Sequence, residues 1–177
     1  FSKRKEGYEE IYFDGGEPTL RADLVDLIAY AKKIKYKAAT VLTNGTILSD
    51  KNKVDNFLKI KQTKDFSLSF SVSLHSHIKE ISEKITGAKN TFKKTLKGIA
   101  NLIEAGFENI SLYTIITIHN YKYLPDFVEF VNKDFPQVKN ITFSFIYPAG
   151  AALVNTKIYP KLSNVEPYLL KALALCE

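Results

Sequence analysis

The residues best suited to chemistry stand together near the start of the chain, in Gly15-Gly16-Glu17-Pro18-Thr19. They close the apolar run Ile11-Tyr12-Phe13, which reads as a short buried strand of about 11–14. Paired glycines at a strand's carboxyl end leave backbone N–H and C=O groups uncovered, so a ligand can approach the chain closely. Pro18 cannot extend the strand's hydrogen bonding and fixes the direction of exit. Glu17 is held where strand becomes loop, the edge at which parallel α/β folds bind ligands. The residues on offer are uncovered backbone and a carboxylate, held where a ligand can approach.

Repeated strand-and-helix units must position such residues. After the first strand a helix runs from about Ala22 to Lys35, with Leu24, Leu27, Ile28, Ala31 and Ile34 at helical spacing. A second strand, Ala39–Leu42, closes on Thr43-Asn44-Gly45, and Asp50 caps a short helix carrying Val54, Phe57 and Leu58. The third strand, Phe66–His75, alternates strictly: Phe66, Leu68, Phe70, Val72 and Leu74 on one face, Ser67, Ser69, Ser71, Ser73 and His75 on the other. Helical patterns on both sides argue for a parallel strand buried on both faces, whose serine face lines a polar lumen. Residues 76–90 read as a polar connection, and Asn90 or Thr91 caps the next helix, which Gly106 stops. The fourth strand, Ile110–Ile118, ends at His119-Asn120, and Pro125 opens the helix after it. The fifth, Ile141–Ile146, leads into Tyr147, and Asn164 caps a last helix reaching Leu175. Five such units predict a parallel sheet with right-handed crossovers and polar residues gathered at the strands' carboxyl ends.

Composition narrows the classes. The chain has 177 residues, 45% apolar and 25% charged, which suits one globular domain. Its net charge of +6 is carried almost entirely by scattered lysines. Arg4 and Arg21 are the only arginines, a poor endowment for bidentate reading of nucleic-acid bases. No apolar run approaches the roughly 18 residues a membrane span needs, and no signal-peptide pattern opens the chain, so the expected location is cytoplasmic. Cys176 is the sole cysteine, so no iron–sulfur cluster is held by thiolates of this chain and no metal ligands are assigned. The absence of Met reads as the mark of a piece of a longer protein.

Gly15-Gly16-Glu17-Pro18-Thr19 resembles the GGEP motif of the radical S-adenosylmethionine (SAM) superfamily. The third strand and its helix are similar to that family too, in Ser71-Val72-Ser73-Leu74-His75, in Ile85-Thr86-Gly87, and in Phe92, Thr95 and Gly98. Asn120 resembles the family's Asn that meets the ribose or the methionine carboxylate, whereas many relatives carry Asp where His75 stands. The resemblance implies that residues 1–177 form a single α/β domain. It would be a partial TIM-type (β/α)6 barrel of about five βα units, its first unit and CxxxCxxC segment missing. The pattern looks closest to members that build the molybdenum cofactor or mature peptides.

What the resemblance implies for function is an enzyme core that binds SAM. In the full-length protein a [4Fe–4S] cluster, its ligands outside this chain, would generate a 5′-deoxyadenosyl radical for modification of an unknown substrate. The implied cofactor-binding residues are Gly15, Gly16, Glu17, Pro18, Thr43, Asn44, Ser71, Ser73, His75, Asn120 and Tyr147; no catalytic residue is assigned. Its partners would be an external electron donor and a small-molecule, peptide or protein substrate, with neither membrane nor nucleic acid. The chain alone is expected to be inactive. Cys176 is an inert thiol or the first ligand of a following auxiliary-cluster domain. An RNA-modifying radical SAM domain and a non-catalytic (β/α) scaffold are the alternatives.

Overall fold

The computed structural model describes residues 2–60 and 63–176. In chain order the elements are α1 (Ser2–Lys5), β1 (Glu10–Phe13), α2 (Leu24–Lys33), β2 (Ala38–Thr43), α3 (Lys51–Leu58) and β3 (Ser67–Ser73). Then come α4 (Lys79–Thr86), α5 (Phe92–Glu104), β4 (Ile110–Ile116), α6 (Leu124–Asp134), β5 (Asn140–Phe145), α7 (Ala151–Val154) and α8 (Leu162–Ala174). The five strands make one sheet in the order β1-β2-β3-β4-β5. The pairs β1–β2 and β2–β3 are parallel, in registers that set Phe13 beside Val41 and Val41 beside Phe70. Helices alternate with strands throughout, as in a partial (β/α) barrel, and the expected fold class is borne out.

Packing divides the chain into two compact units, Phe1–Ser73 with Lys94–Ser111, and Leu74–Lys93 with Leu112–Glu177. In the first, the apolar face of β3 decides the core. Leu68, Phe70 and Val72 are fully buried, as alternation with serine predicts, while Ser69, Ser71 and Ser73 stay half-buried. Phe70 meets Phe57 of α3 and Phe107 edge-on, at ring separations of 5.2 and 5.0 Å. In the second unit, Leu124 and Val128 of α6 and Val165 and Ala172 of α8 pack with Ile116 and Tyr121.

Three expectations need correction. Residues 76–90 are no featureless connection, since Lys79–Thr86 form α4. That helix shows only Ile81 and Ile85 at spacing i, i+4, and it ends on Gly87 at φ +68°. The cap of α5 comes from α4 instead of Asn90 or Thr91: Glu83 Oε1 accepts the N–H groups of Thr91 (3.1 Å) and Phe92 (3.3 Å). Asn164 lies inside α8, which begins at Leu162 with Lys161 as its N-cap. His77 lies 5.9 Å from the Phe130 ring. Its Nδ1 is buried without a partner.

Helix α5 fixes the turn that follows β2. Thr95 Oγ1 donates to the Asn44 carbonyl (2.9 Å), and Asn101 Nδ2 to the Leu48 carbonyl (2.8 Å). Between them Gly98 lies so close that a Cβ would run into the Gly45 carbonyl oxygen. An alanine normally favours a helix interior over glycine by roughly 0.5–1 kcal/mol. Here overpacking against a backbone atom should win, so Gly98→Ala is expected to lower the unfolding free energy by about 1–3 kcal/mol. Urea denaturation measures it, and a stabilised variant would refute the close approach.

Candidate functional site

In the first unit the site is built at the ends of β1 and β2. Glu17 is the hub. Its Oε1 accepts from the Thr19 N–H (3.0 Å), the Thr19 hydroxyl (2.6 Å) and the Thr43 hydroxyl (2.7 Å). Oε2 accepts from the Asn44 N–H at 2.7 Å. Charge-assisted bonds of this kind are the strong ones, and here they tie the loop after β1 to the end of β2. Thr43 is buried, and its hydroxyl also accepts from the Gly45 N–H (3.0 Å). The Asn44 side-chain oxygen takes the N–H and hydroxyl of Thr46, at 2.9 and 2.7 Å. Pro18 is buried just past Glu17.

Gly15 and Gly16 stand over open space. A Cβ built on either would meet no atom within 4 Å, and Gly15 adopts φ +111°, a conformation glycine tolerates best. At the end of β3, Ser71 and Ser73 are half-buried, and neither hydroxyl has a protein partner among the described residues. The first unit therefore presents two kinds of group: a hydrogen-bonded Glu17–Thr43–Asn44 cluster, and beside it glycines with uncovered backbone.

In the second unit Asn120 plays the part Glu17 plays in the first. It is almost wholly buried. Its Oδ1 accepts from the Thr117 N–H (2.7 Å) and hydroxyl (3.0 Å), while Nδ2 donates to the carbonyls of His75 (2.7 Å) and Ile115 (2.8 Å). All four of its side-chain hydrogen bonds are thus made within the unit. Its structural work is to hold the chain after β4 against His75. The imidazole of His75 accepts the Ile115 N–H at Nδ1 (3.3 Å), so the neutral ring carries its proton on Nε2. Burial pushes its pKa down to about 4. Tyr147 is exposed and joined to none of these groups, its carbonyl accepting only the Ala149 N–H at 2.8 Å.

Residues 2–131 match the model of the radical SAM superfamily. The chain belongs to the radical SAM superfamily. Members of the superfamily use SAM and a [4Fe–4S] cluster. The chain is 29% identical to a "Probable GTP 3′,8-cyclase" of Saccharolobus islandicus (strain M.14.25 / Kamchatka #1) over 168 residues, covering 93% of this chain and 50% of that protein. Proteins of the same description from Saccharolobus solfataricus (28% identity; 95% and 51% covered) and Sulfurisphaera tokodaii (29%; 92% and 49%) are similar to it as well. The chain spans about half the length of the curated relatives it matches.

The residues present fit the two cofactors unequally. Among the described residues no group of three or more His, Cys, Asp or Glu is placed to hold a metal ion, and Cys176 is the sole cysteine. They do not fit a cluster. They do fit SAM, because the open backbone at Gly15–Gly16 and the free serine hydroxyls suit an amino acid joined to a ribose. The sequence marks Thr95 only through the family resemblance and gives no signal for Asn101 or Thr117. Their role rests on contacts between residues far apart in the chain or on a local turn, which periodicity does not reveal.

Two outcomes follow. Glu17→Ala strips the acceptor from four donors and should cost about 1.5–3 kcal/mol of stability in urea titration. A loss indistinguishable from zero would remove Glu17 as the hub. His75 binds its proton in the unfolded chain near pH 6.5 but only near 4 when folded. Its stabilising contribution is therefore complete above about pH 6.5 and fades as pH falls toward 4, by about 3 kcal/mol in all. The difference in unfolding free energy between parent and His75→Gln should shrink over that window. A pH-independent difference would contradict the buried neutral ring.

Proposed function

We propose that this chain is the SAM-binding part of a radical SAM enzyme that acts in the cytoplasm, and that residues 1–177 work as one partial-barrel domain. The observation that carries the reading is the hydrogen-bonded Glu17–Thr43–Asn44 cluster beside two uncovered glycines, in a chain of this superfamily. In the first unit Gly15, Gly16, Glu17, Pro18, Thr43, Asn44, Ser71 and Ser73 are the residues proposed for SAM; His75, Asn120 and Tyr147 are the second unit's own candidates. The glycines offer backbone to the amino group, and Ser71 and Ser73 offer hydroxyls. Glu17, Thr43 and Asn120 act mainly by fixing the loops that carry the contacts, since most of their polar atoms already have partners. His75 offers a donor at Nε2. SAM supplies the superfamily's radical chemistry when bound.

A substrate and an external electron donor are the partners this reading requires. Cluster ligands would come from outside the described residues. The "Probable GTP 3′,8-cyclase" relatives make a nucleotide one substrate to try first.

Gly16→Ala separates contact from folding. Gly16 has an ordinary φ and empty space around its missing Cβ, so the variant should unfold like the parent within about 0.5 kcal/mol. The added methyl nevertheless stands where the ligand comes closest, and SAM affinity by calorimetry should fall roughly tenfold or more. Unchanged affinity in both Gly16→Ala and folded Glu17→Ala would overturn the reading.

A further inference from the structure

The second unit contains a cavity of about 430 Å³ beyond the end of β4. That volume suits a small organic molecule. Ile115, Ile146 and Ile158 contribute apolar lining, while Thr117, His119, Asn155 and Lys84 bring the polar groups, and no acidic residue takes part among the described residues. The polar side is held in place. Thr117 is clamped by Asn120 Oδ1, and its hydroxyl in turn accepts the His119 N–H at 3.1 Å. Lys84 reaches the cavity from the last turn of α4, and among the described residues it forms no ion pair. Burial and, next, the Lys84 charge hold the His119 imidazole below its usual pKa. Among the described residues that line the cavity, Lys84 is the one lysine or arginine.

The Lys84 ammonium meets apolar and polar side chains but no carboxylate among the described residues that line the cavity. A ligand that brings one anionic group on an apolar or planar body supplies a counter-charge and fills the volume. We propose that this cavity is the substrate subsite, and that it takes a small organic anion whose carboxylate or phosphate meets Lys84 while its apolar body packs among Ile115, Ile146 and Ile158. The inference rests on the SAM-enzyme reading only in calling the ligand a substrate; the anion site itself stands on the cavity.

Fluorine NMR titration of the chain with 4-fluorobenzoate and 4-fluorophenyl phosphate tests it, with 4-fluorobenzyl alcohol as the neutral counterpart. Either or both anions should bind at least tenfold more tightly than the alcohol, and the tighter one identifies the anionic group. Lys84→Ala should weaken the anions about ten- to a hundredfold. Lys84→Arg should retain most of the affinity, and Lys97→Ala, on the exposed face of α5, should not alter it. Ile146→Trp should fill the cavity and abolish binding. Equal binding of alcohol and acids, no loss in Lys84→Ala, or displacement of the probe by SAM would each overturn the proposal. SAM calorimetry on the parent reads the cofactor site separately. If SAM binds while the probes do not, only the anion subsite fails. If the probes bind while SAM does not, the cofactor reading fails and the subsite remains.

Discussion

The first unit depends on one carboxylate that has turned inward. Glu17 stands at the end of β1 and accepts hydrogen bonds from its own loop and from the end of β2. Parallel neighbours cannot be joined by a tight turn, so nothing in the chain's local geometry requires those two loops to keep step. A side chain supplies that link. The cost of ordering a loop is of the order of 1–2 kcal/mol per residue, and a network of charge-assisted bonds is one of the few local devices able to offset it. Gly15 and Gly16 bring no side chain to pack, so their loop depends on the acid beside them.

Asn120 solves the equivalent problem in the second unit without charge. An amide has two acceptor sites and two donors, and here all are engaged. Removing such a group leaves buried backbone carbonyls unpaired, which is costlier than the bonds themselves appear. The two loops are thus set by different chemistry. A carboxylate serves where the donors are all N–H and O–H groups, and an amide where both carbonyls and donors must be met.

The fold class was legible in the sequence because periodicity decides it. Serine alternating with Phe, Leu and Val over β3 admits one assignment of faces, and the buried set is the predicted one. Gly15–Gly16 was legible as a strand end with uncovered backbone because paired glycines there carry no side chain to cover it. The direction in which Glu17 and Asn120 spend their bonds was not, since Thr43 and Asn44 lie far along the chain from Glu17 and no period links them. Helix α4 escaped notice because its buried face is narrow, with Ser82 the one fully buried residue. Asn164 looked like a cap by residue type, yet Lys161 has its carbonyl positioned to accept the N–H groups of Asn164 and Val165, and the helix starts there.

The side chain of Glu83 belongs to α4, but two of the N–H groups it satisfies open α5. The four leading amides of any helix lack partners within it, and here a pair of them is entrusted to a neighbour. The segment from α4 to the first turn of α5 therefore behaves as a clasp. Displacing Glu83 would leave the amides of Thr91 and Phe92 without this partner. Because Lys84 is the next residue along, a load on its ammonium would be felt as hydrogen exchange at Thr91 and Phe92, a mechanical report from residues that do not line the cavity.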